Sequence, residues 1–217
     1  LFSSLGKKIQ IAFSGIVLCI FLLMHLINNM MLFFGPETFN TMVEFLESIK
    51  PFIRIMEFGL LLIFLMHIIN AIQLTRLNKL ASSISYSGKP EKRTSTINSR
   101  TMIASGLVIL TFIIIHLKYL WYTYQAHLFI GDETYYDVIM RNQAGYLGHT
   151  PTAVFYIISI LLISFHLKHG FQSALKTFGI VKNTKYNIFY KSSILFWGLI
   201  PGLFIFIILA IQLGYIQ

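Results

Sequence analysis

The stretch Ser105-Gly-Leu-Val-Ile-Leu-Thr-Phe-Ile-Ile-Ile-His116-Leu-Lys118 constrains this chain more than any other. With its flanks it is long enough to cross a bilayer, and a histidine sits deep inside it. An ionisable side chain at that depth costs roughly 2.5 kcal/mol or more, so it needs a partner. For one helix alone, a hydrogen bond to a neighbouring helix would meet that need. The pattern recurs, however. Ser14-Gly15-Ile-Val leads to His25-Leu26 with the spacing that separates Ser105-Gly106-Leu-Val from His116-Leu117. Two further apolar runs share another pattern, His67…Ala71…Gln73 and His166…Gly170…Gln172. Four spans with one buried histidine each read as two pairs of axial ligands.

Composition agrees with a bilayer as the solvent. The chain is 56% hydrophobic and 12% charged, with a mean hydropathy of +0.71, which sets it apart from soluble domains. Its 217 residues hold five spans in one membrane domain covering residues 1–217. The spans fall at about 9–34, 53–75, 101–122, 151–175 and 192–213. Gly35-Pro36 ends the first, Pro151 suits a first helical turn, and Pro201-Gly202 predicts a kink in the last. Residues 37–52, with Glu37, Glu44 and Glu47 among apolar residues, predict a short amphipathic helix at the surface. Residues 123–150 form a long connection holding Asp132, Glu133, Asp137 and several tyrosines. The single cysteine, Cys19, lies inside the first span, which excludes an intrachain disulfide, a CxxC zinc site and a covalent c-type haem motif. No cleavable signal is expected, because the apolar run after Lys7-Lys8 is too long and lacks a small-residue cleavage site.

The net charge of +9 does not imply nucleic acid as a partner, because basic residues of membrane proteins collect in cytoplasmic loops. Lys7, Lys8, the six basic residues of 76–100, and Lys168, Lys176, Lys182, Lys185 and Lys191 lie on one side: 13 of the 17 lysines and arginines. Seven of the eight acids lie on or nearest the other. The N-terminus is therefore expected in the cytoplasm and the C-terminus outside.

Depth follows at about 1.5 Å per residue. His25 and His116 lie about 23 Å from the cytoplasmic helix ends, His67 and His166 about 13 Å, giving two levels roughly 10 Å apart. Each level has members on two helices. Two imidazoles facing each other across an iron are the ligation of a b-type haem held without a covalent bond. Ser14 and Ser105, eleven residues before the outer histidines, return to the same helix face. They are expected near the inner haem as small polar groups leaving room for the macrocycle, with Ala71 and Gly170 keeping the backbone clear. Close helix packing explains such small residues equally well. His169, one turn from His166, is placed to bond an inner-haem propionate or to lie at the interface. His127 and His149 belong to the outer connection.

The ordered set of motifs resembles the single-chain, di-haem cytochrome b membrane subunit of succinate dehydrogenases and fumarate reductases. It comprises Ser4-Leu-Gly-Lys-Lys8, Ser14-Gly15 leading to His25-Leu-Ile-Asn-Asn29, and Gly35-Pro-Glu-Thr-Phe-Asn40. Glu57-Phe-Gly-Leu-Leu, Ser105-Gly106 leading to His116-Leu117, and His166-Leu-Lys-His-Gly170 with Ser173 complete it. The resemblance covers nearly the whole chain. It implies an all-α membrane protein of five transmembrane helices, the first four forming a bundle around two stacked b haems. The outer haem would sit between His25 and His116, the inner between His67 and His166. It implies a flavoprotein partner with covalent FAD and an iron–sulfur protein carrying Fe–S clusters, docked on the cytoplasmic face of a bacterial membrane. Electrons would pass between the iron–sulfur protein and a quinone, usually menaquinone, through the inner haem and then the outer. No residue here can itself oxidise succinate. Some fumarate reductases of the family have a glutamate two residues before the span IV ligand, where this chain has Ser164.

Arg76 and Lys176 are the expected propionate partners, and segments 76–100 and 176–191 the expected docking surface for the iron–sulfur subunit. A quinone site needs a proton acceptor near the outer haem and a route to water. Glu47 lies where the family places a carboxylate near that haem, and partial burial would raise its pKa toward neutrality. Glu57 and His149 are the substitutes, and Glu44, Glu47 and Glu57 read equally as solvated surface charges. Two other readings stay open: a di-haem anchor of a hydrogenase, formate dehydrogenase or nitrate reductase, and a haem-free anchor or transporter.

Overall fold

The computed structural model describes residues 4–83, 97–181 and 188–216 of the chain. In chain order the helices are α1 (Ser4–Met30), α2 (Gly35–Ser48), α3 (Lys50–Ser83), α4 (Ile97–His116), α5 (Tyr122–Gln125), α6 (Tyr135–Met140), α7 (Thr150–Thr177), α8 (Ile188–Ser192) and α9 (Ile200–Gln212). No strand occurs among the described residues. This is what a bilayer demands, since a helix satisfies every backbone group within its own segment. Among the described residues, five stretches are long and apolar enough to cross a membrane: Leu5–Ser48, Lys50–Asn78, Met102–Gln125, Thr150–Thr177 and Ile188–Gln212. The chain is a multi-pass membrane protein. Large apolar side chains such as Phe13, Met24, Phe58, Leu65, Ile158 and Phe165 are exposed on the outward faces, where hydrocarbon is the natural solvent.

Several breaks fall where the sequence puts them. A 3₁₀ turn at Met31–Phe34 ends the first span, and Gly35 at φ +86° turns the chain into α2 with Pro36 in its first turn. Pro151 sits in the first turn of α7. The kink expected at Pro201 is instead a π turn just before it, at Leu195–Leu199. Pro201 has no N–H to give the carbonyl four residues back, Trp197, and the Ser164 hydroxyl donates to that carbonyl. A second π turn, Leu117–Trp121, follows His116 directly. The helices also outrun the expected spans, α3 reaching Ser83 and α7 Thr177.

In the bundle, α1 packs against α3 and α7, α4 against α7, and α9 closes against α7 and α1. The pairs α1/α4 and α3/α7 stand diagonally and neither is closely packed. The end carrying Lys7, Lys8, Arg76 and Lys176 is called the basic end here. The buried core lies at the far end, where Leu26, Leu32, Leu120, Tyr156 and Ile207 meet α6 and the segment after it. No residue of α3 belongs to that core, and among its described residues only Asn70 is buried, its amide donating to Gln10 Oε1 at 3.0 Å. The bundle is thus closed at one end by a buried core, while α3 lies outside that core and packs chiefly on α1.

Residues 123–149 are not an open connection. Thr134 and Asp137 form a capping box that starts α6, and Tyr136, Val138, Ile139, Tyr146 and Leu147 are buried. Arg141 grips Glu133 through two nitrogens and donates to Tyr146 OH at 3.1 Å and the Leu128 carbonyl at 2.8 Å. Gly145, at φ +104°, lies directly on the Tyr119 ring, and Gly148 on the Met140 carbonyl. Neither place has room for a side chain. The segment is a packed cap over the far end.

Candidate functional site

Each of the two hairpins α1–α3 and α4–α7 brings a serine of one helix to the histidine of the other. Ser14 Oγ lies 2.9 Å from His67 Nδ1, and Ser105 Oγ lies 3.2 Å from His166 Nδ1. The adjoining glycines flank the same rings: a Cβ on Gly15 would stand 3.5 Å from His67 Cε1, and one on Gly106 3.8 Å from His166 Cε1. The Ser-Gly pairs therefore serve the histidines nearer the basic end, not those on their own helices. His25 and His116 meet across the diagonal at the far level. Their ring centres are 5.7 Å apart with the planes at 87°.

The vertical spacing corrects the sequence estimate. Ser14 marks the level of His67, and it is eleven residues before His25, or about 16 Å along α1 rather than 10 Å. The estimate assumed that the cytoplasmic ends of α1 and α3 lie level, whereas the serine–histidine contact relates the two helices directly.

The far pair is walled by aromatic rings. Phe21 stacks on His25 at 5.6 Å, Phe204 lies 5.7 Å from it, and Phe112 and Tyr156 lie 5.7 and 6.0 Å from His116. His116 Nδ1 and Tyr156 OH are buried without a hydrogen-bond partner, as is Trp197 Nε1. Two of these three unsatisfied atoms thus stand at the far histidine level, an arrangement costly in a packed apolar interior. No group of three or more histidine, cysteine, aspartate or glutamate side chains that could hold a metal occurs among the described residues. The imidazoles come in twos, which suits a metal bringing its own equatorial ligands. Two nitrogens on opposite sides of one metal stand about 4 Å apart, with ring centres about 6 Å apart, close to the far-pair separation. By donor type and number, and at the far pair by ring separation, these histidines would suit a haem iron.

The other candidate residues scatter. Arg76 is exposed near the end of α3, and Lys176 Nζ lies 5.8 Å from the centre of the Tyr190 ring. His169 is half-buried one turn beyond His166. Most of segment 76–100, with Lys182 and Lys185, falls outside the described residues whose side chains are placed. Glu47 and Glu57 occupy the corner where α2, α3 and α5 meet. Glu47 binds Lys50 Nζ at 2.8 Å and accepts from Tyr124 OH at 2.9 Å. Both partners favour the ionised carboxylate, which runs against the expected rise toward neutrality. Glu57 binds Arg54 at 2.6 Å and accepts from Trp121 Nε1 at 3.0 Å, while Arg54 also donates to Gln125.

His149 stands elsewhere. It precedes α7, with Nδ1 2.9 Å from Thr152 Oγ1. Thr152 lines an open groove of about 390 Å³ between α7 and the π turn after His116. Ile115, Lys118, Tyr119, Pro151 and Phe155 form its other walls, with Lys118 Nζ 5.0 Å from the Tyr119 ring centre. Sequence reading missed this groove, because only the π turn brings Lys118 round to Thr152. It also missed the partner of Ser164, for which Pro201, four residues past Trp197, was the available signal.

Comparison of the chain with models of protein families, with curated proteins and with solved structures finds no match in any of the three.

Proposed function

We propose that this protein is the membrane anchor and electron-transfer subunit of a succinate:quinone oxidoreductase, working with a flavoprotein and an iron–sulfur subunit. The observation that carries the haem part is the set of four intramembrane histidines arranged as two pairs on opposed helices. His25 and His116 would hold one b haem, His67 and His166 the other. A bound b haem supplies reversible one-electron chemistry at iron. The protein's own part is to present neutral imidazoles from opposed helices and to exclude water with Phe21, Phe112, Tyr156 and Phe204. The succinate part and the bacterial membrane rest on the motif resemblance alone, and the cytoplasmic N-terminus on the one-sided distribution of lysines and arginines.

The quinone headgroup belongs, in this reading, in the groove beside His116. Tyr119 and Phe155 offer aromatic walls and Lys118 a hydrogen-bond donor. Quinol oxidation releases two protons, and the Thr152 hydroxyl leads to His149, a half-exposed imidazole that can pass a proton to water. Glu47 and Glu57, already bound to cations, are secondary candidates.

The test is purification of the chain with whatever accompanies it. A low-spin b-type difference spectrum together with flavoprotein and iron–sulfur partners is the expected result. A b-type spectrum with hydrogenase, formate dehydrogenase or nitrate reductase subunits would replace the succinate assignment. A chain without haem would remove the electron-transfer role.

A further inference from the structure

The two serine–histidine contacts can be read for proton positions. Ser14 Oγ lies 2.7 Å from the Gln10 carbonyl and 2.9 Å from His67 Nδ1. A hydroxyl has one proton to give, and a carbonyl can only accept. If the proton pointed at Nδ1, two bare oxygens would face each other at 2.7 Å. If it goes to Gln10, Oγ is free to accept from an Nδ1–H, and both contacts become hydrogen bonds. The second arrangement wins, and the carbonyl polarises the hydroxyl into a better acceptor. The same holds at Ser105, 3.0 Å from the Met102 carbonyl and 3.2 Å from His166 Nδ1. The far pair has no serine on either Nδ1: His116 Nδ1 is unpartnered, and at His25 the Asn29 amide donates to the backbone carbonyl at 2.8 Å and lies 3.5 Å from Nε2.

We propose that Ser14 and Ser105 are positioning residues that lock His67 and His166 as Nδ1–H tautomers, leaving both Nε2 lone pairs free to ligate. An acceptor on Nδ1–H raises the basicity of the opposite nitrogen, so the near pair donates more strongly to a metal than the same imidazoles would unaided. The histidine orientation is thus set within each hairpin, by the helix that precedes it in sequence. The redox consequence rests on the di-haem reading; the tautomers do not.

Two measurements test this and separate the two claims. In haem-free protein, imidazole ¹⁵N shifts should show protonated Nδ1 and bare Nε2 at His67 and His166. Ser14→Ala should disturb His67 alone, and Ser105→Ala His166 alone. In the haem-loaded complex, either alanine variant should raise the midpoint potential of one haem and weaken its retention about 10- to 100-fold. Ser14→Thr and Ser105→Thr, which keep the hydroxyl, should restore both. Nε2–H tautomers in the unmodified chain would overturn the proposal. Unchanged potentials of both haems in both alanine variants would overturn its redox part while leaving the di-haem reading standing. Absence of haem from the unmodified complex would end that reading and leave the ¹⁵N result to decide the tautomers.

Discussion

A cation placed in or beside hydrocarbon must be neutralised, shielded or moved to the edge, and four basic residues lie away from the basic end. Lys50 pairs with Glu47, Arg54 with Glu57 and Arg141 with Glu133, while Lys118 lies over the Tyr119 ring. Three of the eight acids, Glu47, Glu57 and Glu133, are therefore partners of these cations. Their types and sides were legible, but their pairings were not, since Glu133 and Arg141 are eight residues apart with a helix between. The consequence for proton handling is specific. His149→Ala is expected to lower quinone-linked turnover by about tenfold or more, a loss in keeping with a proton-transfer group, while sparing reduction of a soluble dye. Glu47→Gln should retain most of that turnover, because its carboxyl is already bonded to Lys50 and Tyr124. Steady-state assays with a short-chain quinol compare the two, and a larger loss in Glu47→Gln would return the role to α2.

The spans and their helical nature were legible because an apolar run of bilayer length leaves the backbone one economical solution. The π turns were not, since each depends on where a neighbouring helix needs a side chain or a carbonyl. Nor was the packed cap, although Thr134-x-x-Asp137 was a readable capping box that located the start of α6. Its closure depends on tertiary approach at two glycines. Gly145→Ala would force a Cβ onto the Tyr119 ring at φ +104° and should loosen the cap by about 1–2 kcal/mol, read as faster hydrogen exchange over residues 128–147. The cap should also respond to acid. The Arg141 bond holds Glu133 below its ordinary value, and bonds from Thr134 do the same for Asp137. Depressed folded-state values contribute stability that is present above the unfolded carboxylate range and lost as pH falls through the folded values. Exchange protection over 128–147 should hold down to about pH 5 and fall below about pH 4. Loss of protection on raising the pH from 6 to 8 would contradict this.

At the scale of the molecule, the asymmetry is between a far end filled by aromatic and aliphatic side chains and a basic end where α3 packs chiefly on α1. Segments 76–100 and 176–191 carry most of the charge at that basic end, and under the proposed function they meet the iron–sulfur subunit. Amine-reactive cross-linking of the intact complex should join them to that subunit, and cross-links to a protein on the opposite face of the membrane would reverse the topology. The central claim is the pairing of the four histidines around two haems. Pyridine haemochrome analysis of the purified complex measures it most directly. The account predicts two b haems per chain, falling to one in His25→Ala and in His116→Ala. One haem in the unmodified chain, or both retained in His116→Ala, would contradict it.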